Sequence, residues 1–554
     1  MKKELKNLIE EMLKKVGIQN PTNVSVEHPA DLSYGDYSSN VALVYSKEFA
    51  MSSNDLALKL VSELEKERLP EIEKIEIAGR GFINFSLASS FLSKTIAGIN
   101  KNGDTYGKTN IFNKEKTIVE YTDPNPFKEF HIGHLMSNTI GEAISRVIEY
   151  NGAEVKRACY QGDVGLHVAK AVWGKLKNPD ASWGEAYALG AISQADARIK
   201  AEIIDINQKI YEKDPSLFLL YGEGKKESLE KFEEIYKRLE THFDYYFFES
   251  DTGKFGKKLV EKYKEKIFEK SEGAVVFKGE KYGLHTRVFI NSQGLPTYEA
   301  KELDLAKIKY EKYPYDKSIV VTANEVNEYF KVVHKALELM FPDLAKKTIH
   351  ISHGMLRLPE GKMSSRTGKV ITAESLIGEV KERIKEKVSD RKLTEEEKEK
   401  ISEQVAIGAI KYSILKQTSG KDIIFDFDKS LSFEGDSGPY LQYTHTRALS
   451  VLNKAKEEKI PQNTYLEVRL PSNIERLLYR FPEIVERAGR EYEPHYITTY
   501  LMELAGLFNS FYAKEKIVDS SDPQSPYKVT ITNAVAIVLK NGLALLGIPA
   551  PEKM

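Results

Sequence analysis

The sequence predicts a multidomain protein of α/β and all-α type with a doubly wound parallel sheet at its centre. Three observations support this prediction. The chain has 554 residues, which at about 150 residues per domain suggests three or four domains. Strand-like and helix-like segments alternate in its middle, a pattern typical of parallel sheets with crossover helices. The final part shows helical periodicity only.

Residues 1–112 are predicted to form an α+β domain. Apolar residues from Leu5 to Val16 recur at helical spacing, and a second helix is expected over 54–66. The segments KIEIAG and GFINFSL indicate two short strands that meet about Gly79–Gly81. The turn-rich segment NKNGDTYGKT closes this domain.

Residues 113–371 are predicted to form the α/β domain, with a largely helical, lysine- and glutamate-rich insertion over about 176–280. The expected strands are TIVEYT, EVKRACYQ, KSIVVTA and IHISH. Ligands of such sheets bind beyond the carboxyl ends of the strands. A helical connector over 372–434 and an all-helical domain over 435–554 are expected to follow.

Composition excludes several classes of protein. The 81 basic and 82 acidic residues leave a net charge of −1, which argues against an overall positive surface for unspecific nucleic-acid binding but permits a local basic patch. One cysteine, Cys159, excludes an internal disulfide and a cysteine-based zinc site. No uncharged apolar run reaches the roughly 18 residues that span a bilayer, and the first residues lack a signal-peptide core. We expect a cytoplasmic protein without zinc or membrane binding.

The loop after the first strand of the α/β domain contains His131-Ile-Gly133-His134, where a helix is predicted to begin. Free N–H groups and a partial positive charge at a helix N-terminus suit anions, and imidazole N–H groups add donors. Gly133 leaves bare backbone for a flat base. Such a site suits a polyphosphate whose charge grows in a transition state. The alternative is that both histidines only cap the helix.

A second candidate segment is GKMSSRTG, which begins at Gly361 and follows the last predicted strand. A mobile loop with two cations and two hydroxyls can close over a leaving pyrophosphate. Taken alone, the segment would favour an exposed basic turn, which is common.

Together, these two segments resemble the signature sequences HIGH and KMSKS of class I aminoacyl-tRNA synthetases, which follow the first and last strands of the sheet in that family. Other segments resemble arginyl-tRNA synthetases, and they are GDYSSNVAL, AGRGFINFSL, VEYTDPNPFKEFHIGHL, YQGDVGLHVAK, TYEAKEL, LRLPEGKMSSRTG, GPYLQYTHTRALSVL, LFNSFYA and GLALLGIPAPEKM. The resemblance covers nearly the whole chain. It alone indicates arginine, because no spacing in the sequence does.

The resemblance implies a Rossmann-like catalytic domain with a connective insertion, an N-terminal domain that contacts tRNA, and a C-terminal anticodon-binding domain. It implies an arginine–tRNA ligase that functions in translation. The arginine carboxylate attacks the α-phosphorus of ATP and expels magnesium-bound pyrophosphate. The terminal ribose hydroxyl of tRNA(Arg) then takes the arginyl group from the adenylate. The expected partners are ATP with Mg²⁺, L-arginine and tRNA(Arg), and the enzyme is expected to be a monomer. Catalysis then depends on positioning and charge stabilisation.

The resemblance assigns site residues by motif. Glu120 and Asn125 match positions that hold the α-amino group of arginine. Glu249, Tyr298 and Glu302 match positions around the guanidinium, for which carboxylate contacts are suitable. The implied ATP-site and catalytic residues are Lys128, His131, Gly133, His134, Lys362, Met363, Ser364, Ser365 and Arg366.

Alternatives remain for several of these residues. Asn125 is also a common loop-forming residue, and Glu249 and Glu302 are also consistent with surface charges. Gly162, Asp163 and His167 match a turn that lines the site, but Asp163 is equally typical of a helix cap.

The implied RNA-binding residues lie at both ends of the chain. Aromatic side chains there can stack on unpaired bases, and Arg and Asn can hydrogen-bond to base edges. At helical spacing, aromatic residues are also typical of a core. The residues are Phe82, Asn84, Phe85, Tyr440, Tyr443, His445, Arg447, Asn509, Phe511 and Tyr512.

The sequence departs from the family at three positions. Glu302 replaces the usual aspartate, and Val326 stands where many members carry glutamine. Ser365 replaces the lysine of the KMSKS loop, which leaves a departing pyrophosphate short of one cation. Lys128 or Arg366 can supply that charge.

Two other functions are compatible with the motifs. One is a class I synthetase for another amino acid, although a cysteinyl enzyme would need zinc ligands. The other is a non-catalytic tRNA-binding paralogue, which would be expected to have a degraded HIGH motif. Here His131, Gly133 and His134 are intact.

Overall fold

The computed structural model describes residues 1–358, 371–463 and 472–554. These residues form two units. Unit 1 consists of Met1–Tyr106, Arg447–Pro482 and Glu503–Leu539, and unit 2 consists of Gly107–Thr446, Glu483–Met502 and Lys540–Met554. Each unit therefore combines separate stretches of the chain. The domain boundaries inferred from the sequence remain a prediction.

A three-stranded antiparallel sheet with four helices forms the N-terminal part of unit 1. Its elements are α1 (Lys2–Val16), β1 (Tyr37–Ser39), α2 (Val41–Tyr45), α3 (Ser53–Lys66), β2 (Ile72–Ala78), β3 (Phe82–Leu87) and α4 (Ser89–Asn102). The strand order is β1-β3-β2. One apolar face of α1, with Leu5, Ile9 and Leu13, is buried in the same hydrophobic core as Phe85 of β3, as the helical spacing predicts.

The next part of the chain contains most strands and belongs to unit 2. Its elements are β4 (Lys116–Glu120), α5 (Ile132–Tyr150), β5 (Glu154–Gln161), α6 (Leu166–Lys177), α7 (Trp183–Ser193), α8 (Ala197–Glu212), α9 (Pro215–Arg238), β6 (Tyr245–Phe248), α10 (Glu249–Lys262), β7 (Glu269–Ser271), β8 (Ala274–Phe277), β9 (Arg287–Ile290), α11 (Tyr298–Lys312), β10 (Lys317–Ala323), α12 (Asn327–Met340), α13 (Pro342–Lys347), β11 (Thr348–His353) and β12 (Leu356–Arg357).

The central sheet of unit 2 has five parallel strands in the order β11-β10-β4-β5-β6. The chain proceeds from β4 outward through β5 and β6, then returns to the other side of β4 with β10 and β11. The predicted doubly wound parallel sheet is confirmed. Its strand order reverses beside β4, which is where such sheets bind ligands.

Helix α5 packs directly against the end of β4. A Cβ atom at Gly141 would lie 2.2 Å from Cγ of Tyr121, so only glycine permits this approach. Tyr121 donates a hydrogen bond to Glu142 on the same helix, and Arg157 of β5 donates to Glu142 at 3.1 Å. The helix is therefore fixed to two strands of the sheet.

The region 176–280 differs from the helical insertion that the sequence predicts. Helices α7, α8 and α9 follow that prediction, but β6 pairs in parallel with β5 and belongs to the central sheet. Strands β7, β8 and β9 then form a separate antiparallel sheet. The sequence did not predict β6 because its residues, YYFF, form a short apolar run. Such a run has no alternation of apolar and polar residues that would distinguish a strand from a helix.

The remainder of the described chain is helical apart from one short strand. Its elements are α14 (Ala373–Lys387), α15 (Glu395–Leu415), β13 (Ile423–Ile424), α16 (Phe427–Ser430), α17 (Gly438–Glu457), α18 (Asn473–Leu478), α19 (Phe481–Glu491), α20 (His495–Lys514) and α21 (Ser525–Leu545). Within the described residues, α21 alone is long and apolar enough to cross a membrane, and 78% of its most apolar window is buried inside the protein.

Candidate active site

The loop after β4 is held in an unusual backbone conformation. Thr122, Asp123 and Phe127 have φ angles of 80°, 47° and 70°, which cost non-glycine residues about 1–3 kcal/mol each. The Thr122 N–H donates to Ser137 Oγ of α5 at 3.0 Å, and the Tyr160 N–H of β5 donates to Asp123 Oδ1 at 2.7 Å. Bonds from the two bordering elements therefore fix a strained loop, as is typical of functional sites.

Both histidines of the HIGH segment cap α5 through Nδ1. The Gly133 N–H donates to His131 Nδ1 at 3.1 Å, and the His131 N–H donates to His134 Nδ1 at 3.3 Å. The rings stack with centroids 3.6 Å apart. The cap predicted as an alternative is present, but it uses only one nitrogen of each ring.

The other nitrogen of each ring is a potential donor. Burial lowers the pKa of His134 well below its ordinary value, and the neighbouring His131 and Lys128 lower it further. Burial and Lys128 likewise lower the pKa of His131. Both rings are therefore neutral at pH 7. A neutral imidazole that accepts at Nδ1 carries its proton on Nε2, so each ring offers an Nε2–H donor.

A cavity of about 310 Å³ lies where α5 begins and β11 ends. Its size falls in the range of about 300–1,000 Å³ that is usual for small-molecule sites, and Gly133 and Met136 contribute to its wall. His353 also lines it and donates from Nδ1 to the Gly354 carbonyl at 2.7 Å. Its Nε2 is then a bare acceptor, which is buried and has no partner among the described residues.

The segment after the predicted pyrophosphate loop pairs with the HIGH segment. The Ile132 N–H donates to the Ile371 carbonyl at 3.2 Å, and the Ala373 N–H donates to the Phe130 carbonyl at 2.8 Å. The chain therefore returns to the start of α5 directly after this loop. The loop residues named from the sequence lie outside the described residues, and they are Lys362, Met363, Ser364, Ser365 and Arg366.

Two predicted arginine-binding carboxylates form buried ion pairs. Lys309 Nζ lies 2.8 Å from Glu120 Oε2, and Lys301 Nζ lies 2.5 Å from Glu249 Oε2. All four side chains are almost completely buried. Both glutamates are therefore buried, and the alternative that Glu249 is a surface charge is wrong.

Two further carboxyls close to these pairs, Asp123 and Glu302, form no ion pair of their own among the described residues, although the charge of Lys309 acts on both. Burial, with the charge of Glu120, raises the pKa of Asp123 well above its ordinary value. The same two causes raise the pKa of Glu302 to about 8. Four carboxyls thus share two lysines, since Glu120 and Glu249 take Lys309 and Lys301. Asp123 and Glu302 are left without a lysine partner among the described residues, so the site can bind positively charged groups of a ligand.

Gly162 brings Asn125 and Glu249 together. A Cβ atom at position 162 would lie 2.2 Å from Asn125 Oδ1 and 3.1 Å from Glu249 Oε1. The turn after β5 must therefore be glycine for these two predicted ligands to lie side by side. Tyr298 begins α11, and its ring is 54% exposed and lies 5.1 Å from Lys301 Nζ.

Asp163 links the turn after β5 to helices α9 and α10 by hydrogen bonds. It accepts from Lys225 Nζ of α9 at 2.7 Å, and from the Ser250 N–H and Oγ of α10 at 2.8 and 2.7 Å. Asp163 is therefore not the cap of α6, whose N-cap is Gly165. Nearby, His167 Nε2 lies 2.7 Å from the Gly162 carbonyl. These bonds hold the turn that carries Gly162.

Lys128 lies between the histidines and the carboxyls. Burial and the positive charge of Lys170 lower the pKa of Lys128, whereas the negative charge of Glu249 raises it. Its charge also contributes to lowering the pKa of His131, His134 and His167. Its ammonium group is 5.0 Å from the ring centre of Tyr187 in α7. Val326, the other departure from the family within the described residues, is half-buried and ends a 3₁₀ turn before α12.

Three family models match the chain. They are "tRNA synthetases class I (R), catalytic domain" over residues 95–427, "DALR anticodon binding domain" over 441–554, and "Arginyl tRNA synthetase N terminal domain" over 3–87. The first alone covers more than half of the chain. The chain belongs to the arginyl-tRNA synthetase family.

Individual relatives match this synthetase over nearly the whole length of both chains. The chain is 34% identical to the arginine–tRNA ligase of Fusobacterium nucleatum over 94% of both chains. It is 29% identical to that of Halothermothrix orenii over 100% of this chain and 99% of the relative. In fold, it resembles the arginyl-tRNA synthetases of Thermus thermophilus and Plasmodium falciparum, each with a TM-score of 0.79 over 100% of this chain and 100% and 99% of theirs, at 24% and 21% identity. The resemblance and fold class inferred from the sequence are confirmed.

In unit 1 of the synthetase, a cavity of about 420 Å³ lies beside β3. Phe82 and Asn84 line it, and 42% of Phe82 is exposed. Asn40 also lines it, and its Oδ1 is buried without a partner among the described residues. Phe85 points to the opposite face of β3 and is fully buried in the core, so its ring is not available to stack on a base.

A second group of predicted RNA-binding residues in unit 1 is brought together. Arg447 of α17 donates to Asn509 Oδ1 of α20, and its guanidinium lies 5.0 Å from the ring centre of Tyr512. Tyr512 is 44% exposed. Phe511 is half-buried beside it in the sequence. The three contacting side chains form a polar and aromatic cluster, Arg447–Asn509–Tyr512.

The other predicted residues of α17 lie in unit 2. Tyr440 and Tyr443 are half-buried, and the ring of Tyr443 contacts Phe433. His445 is buried, and its Nδ1 is 3.2 Å from the Pro551 carbonyl. This histidine therefore has no exposed face for RNA.

The sequence did not identify several groups that shape the synthetase site. Lys301 and Lys309 resemble solvated charges in KELDLAKIK, yet both are buried beside predicted ligands. Asp123 adds a carboxyl whose only sequence signal was its place after a strand. Within the described residues there is no group of three or more His, Cys, Asp or Glu side chains arranged to hold a metal ion.

Proposed function

We propose that this synthetase activates L-arginine with ATP and transfers the arginyl group to the 3′-terminal ribose of tRNA(Arg). In the first step, a carboxylate oxygen bonds to the α-phosphorus and the bond to the β-phosphate oxygen breaks, which releases pyrophosphate. In the second step, a ribose hydroxyl takes the acyl carbon and AMP leaves. ATP acts as its magnesium complex. The enzyme is proposed to be a cytoplasmic monomer without zinc.

The observation that supports arginine most directly is that two carboxyls of the cluster Glu120, Asp123, Glu249 and Glu302 have no ion-pair partner among the described residues. L-Arginine brings two cations, its α-ammonium and its guanidinium. Asp123 and Glu302 have raised pKa values in the free protein because burial and Glu120 favour their protonated forms. A bound dication allows both to ionise. We assign the α-ammonium to Glu120 and Asn125, and the guanidinium to Glu249, Tyr298 and Glu302.

The start of α5 is suited to the phosphates. His131 and His134 each offer an Nε2–H, and the helix N-terminus adds positive potential where charge develops as pyrophosphate departs. The 310 Å³ cavity is proposed to take the adenine over Gly133, with His353 Nε2 as an acceptor for its exocyclic amine. Lys128 and the loop residues Lys362 and Arg366 would balance the charge of the β- and γ-phosphates.

Both unit 1 features are suited to unpaired tRNA bases. The cavity beside Phe82 and Asn84 combines an exposed ring with amide groups, which is the usual means of binding single-stranded RNA. The Arg447–Asn509–Tyr512 cluster offers the same combination and lies in the family's anticodon-binding region.

Charging of tRNA tests the proposal. The purified chain is expected to attach radiolabelled arginine to total tRNA in the presence of ATP and Mg²⁺, and none of the other nineteen amino acids. Charging with a different amino acid, or with none, would overturn it.

Replacing Tyr512 by Ala is expected to raise the KM for tRNA about 5- to 100-fold, because one stacked base contributes about 1–3 kcal/mol, while kcat stays within about twofold. Steady-state arginylation with varied tRNA measures both constants. Tyr282→Ala is the control, since Tyr282 is also 44% exposed but lies outside the cluster. Equal KM values for both variants would remove the proposed stacking role.

A further inference from the structure

Lys301 lies among the side chains that are proposed to bind the guanidinium. Its Nζ lies 2.5 Å from Glu249 Oε2, 5.1 Å from the centre of the Tyr298 ring and 5.7 Å from that of Tyr211. It is therefore in contact with two of the three side chains assigned to that group. Lys301 is 3% exposed, so water does not screen its charge.

The two oxygens of Glu249 have different surroundings. Oε2 accepts the hydrogen bond from Lys301, whereas Oε1 faces Gly162 and Asn125, as the 3.1 Å approach of a Cβ at position 162 shows. One oxygen is thus held by the protein, and the other points to the loops that border the site. A carboxylate held at one oxygen cannot rotate freely about its last bond.

We propose that Lys301 is a positioning residue for arginine, which rests on the proposed function of the site. It holds Glu249 by Oε2, keeps it ionised, and so presents Oε1 to the incoming guanidinium. Lys301 does not contact the reacting atoms. Lys301 binds Oε2 of Glu249, and the guanidinium of the substrate binds Oε1.

The charges around Glu249 support this role. Burial raises the pKa of Glu249, and Lys301 is the largest opposing influence. Without Lys301, the pKa of Glu249 would be higher still, because the largest influence that opposes burial would be lost. The titratable groups that face Glu249 come from every neighbouring element, and they are Lys128, Tyr160, Asp163, Tyr298, Lys301, Glu302 and Tyr329.

The test is the Lys301→Met variant in ATP–pyrophosphate exchange with tRNA present. Methionine keeps the stem volume but removes the charge. We expect the KM for arginine to rise roughly 10- to 100-fold, as for loss of a charged hydrogen bond, with the KM for ATP within about twofold. The KM for arginine should fall more steeply with rising pH in the variant than in the wild type, because loss of Lys301 raises the pKa of Glu249 further and only ionised Glu249 binds a cation.

Three further variants separate positioning from mere stability. Lys301→Arg keeps the cation and should restore most of the affinity for arginine. Lys307→Met removes a lysine of the same helix that pairs at the surface with Glu311 at 3.4 Å, and it should change neither constant. In a Glu249→Gln background, Lys301→Met should change the KM for arginine less than twofold, because no carboxylate remains to be held.

Two results would overturn the proposal. One is an unchanged KM for arginine in Lys301→Met. The other is a rise of equal size in the Glu249→Gln background, which also decides the matter if the single variant folds poorly. A wild-type chain that fails to activate arginine would instead contradict the proposed function, so the two failures are distinguishable.

Discussion

Replacing His134 by Ala is expected to lower kcat for arginine-dependent pyrophosphate exchange by roughly 10²- to 10³-fold. This is the usual effect of removing one donor that acts on transition-state charge. His134 presents an Nε2–H because its Nδ1 accepts the His131 N–H. The KM for tRNA should change little, since this residue lies at the start of α5 and not in the features of unit 1 that are proposed to bind RNA.

A second variant separates the donor from the cap. Loss of the Nδ1 acceptor alone weakens the helix start by about 1 kcal/mol, which would lower the melting temperature as well. His134→Asn keeps a side-chain oxygen that can accept the backbone N–H but does not place a donor at Nε2. We expect His134→Asn to melt like the wild type and to be as slow as His134→Ala. A fast Asn variant would mean that the HIGH segment here acts only as a helix cap.

Lys128→Ala is expected to slow the same exchange by roughly 10²-fold, because a departing pyrophosphate requires compensating positive charge and the loop lacks its usual lysine at Ser365. Lys128 is electrostatically coupled to His131 and His134, so its charge reaches the place where the phosphates are proposed to bind. Lys177→Ala is the control, since Lys177 pairs with Glu202 at the protein surface.

Restoring the family lysine tests whether Lys128 acts as its substitute. Adding Ser365→Lys to Lys128→Ala should recover part of the lost rate. Recovery by Ser365→Lys would support a shared role, whereas loss without recovery would leave Lys128 necessary for another reason. Exchange at a near-normal rate in Lys128→Ala would instead favour Arg366 as the compensating cation.

The sequence predicted the central strands of the sheet well, because burial and the spacing of apolar residues favour the same conformation there. EVKRACYQ and KSIVVTA coincide with β5 and β10. KSIVVTA has the apolar centre that is typical of a strand covered on both faces, and a glycine turn precedes EVKRACYQ. It did not predict β6 as a strand of the same sheet. Four apolar residues between helices carry no period, and only pairing with β5 determines their conformation.

The sequence predicted those residues of the candidate site that lie in segments resembling the family's motifs. The positions of Glu120, Asn125 and Glu249 followed from the resemblance, and the structure places them at or after the carboxyl ends of β4 and β6, which flank β5. Lys301 and Lys309 were not predicted, because a lysine in a charged helix is usually solvated, and only tertiary packing buries it beside a carboxylate. The burial of Phe85 could have been predicted, since the period of two in FINFSL places it on the face opposite Phe82 and Asn84.

The central claim is that the carboxyl cluster Glu120, Asp123, Glu249 and Glu302 selects an amino acid with two cationic groups. The most direct measurement compares L-arginine with L-citrulline, a close isostere whose side chain ends in a neutral urea, in ATP–pyrophosphate exchange with tRNA present. A site built to bind a polar group typically rejects an analogue lacking it by about 10⁴-fold, and we expect a kcat/KM lower by about this factor for citrulline, with no exchange for neutral amino acids. A kcat/KM for citrulline within tenfold of that for arginine would contradict the account.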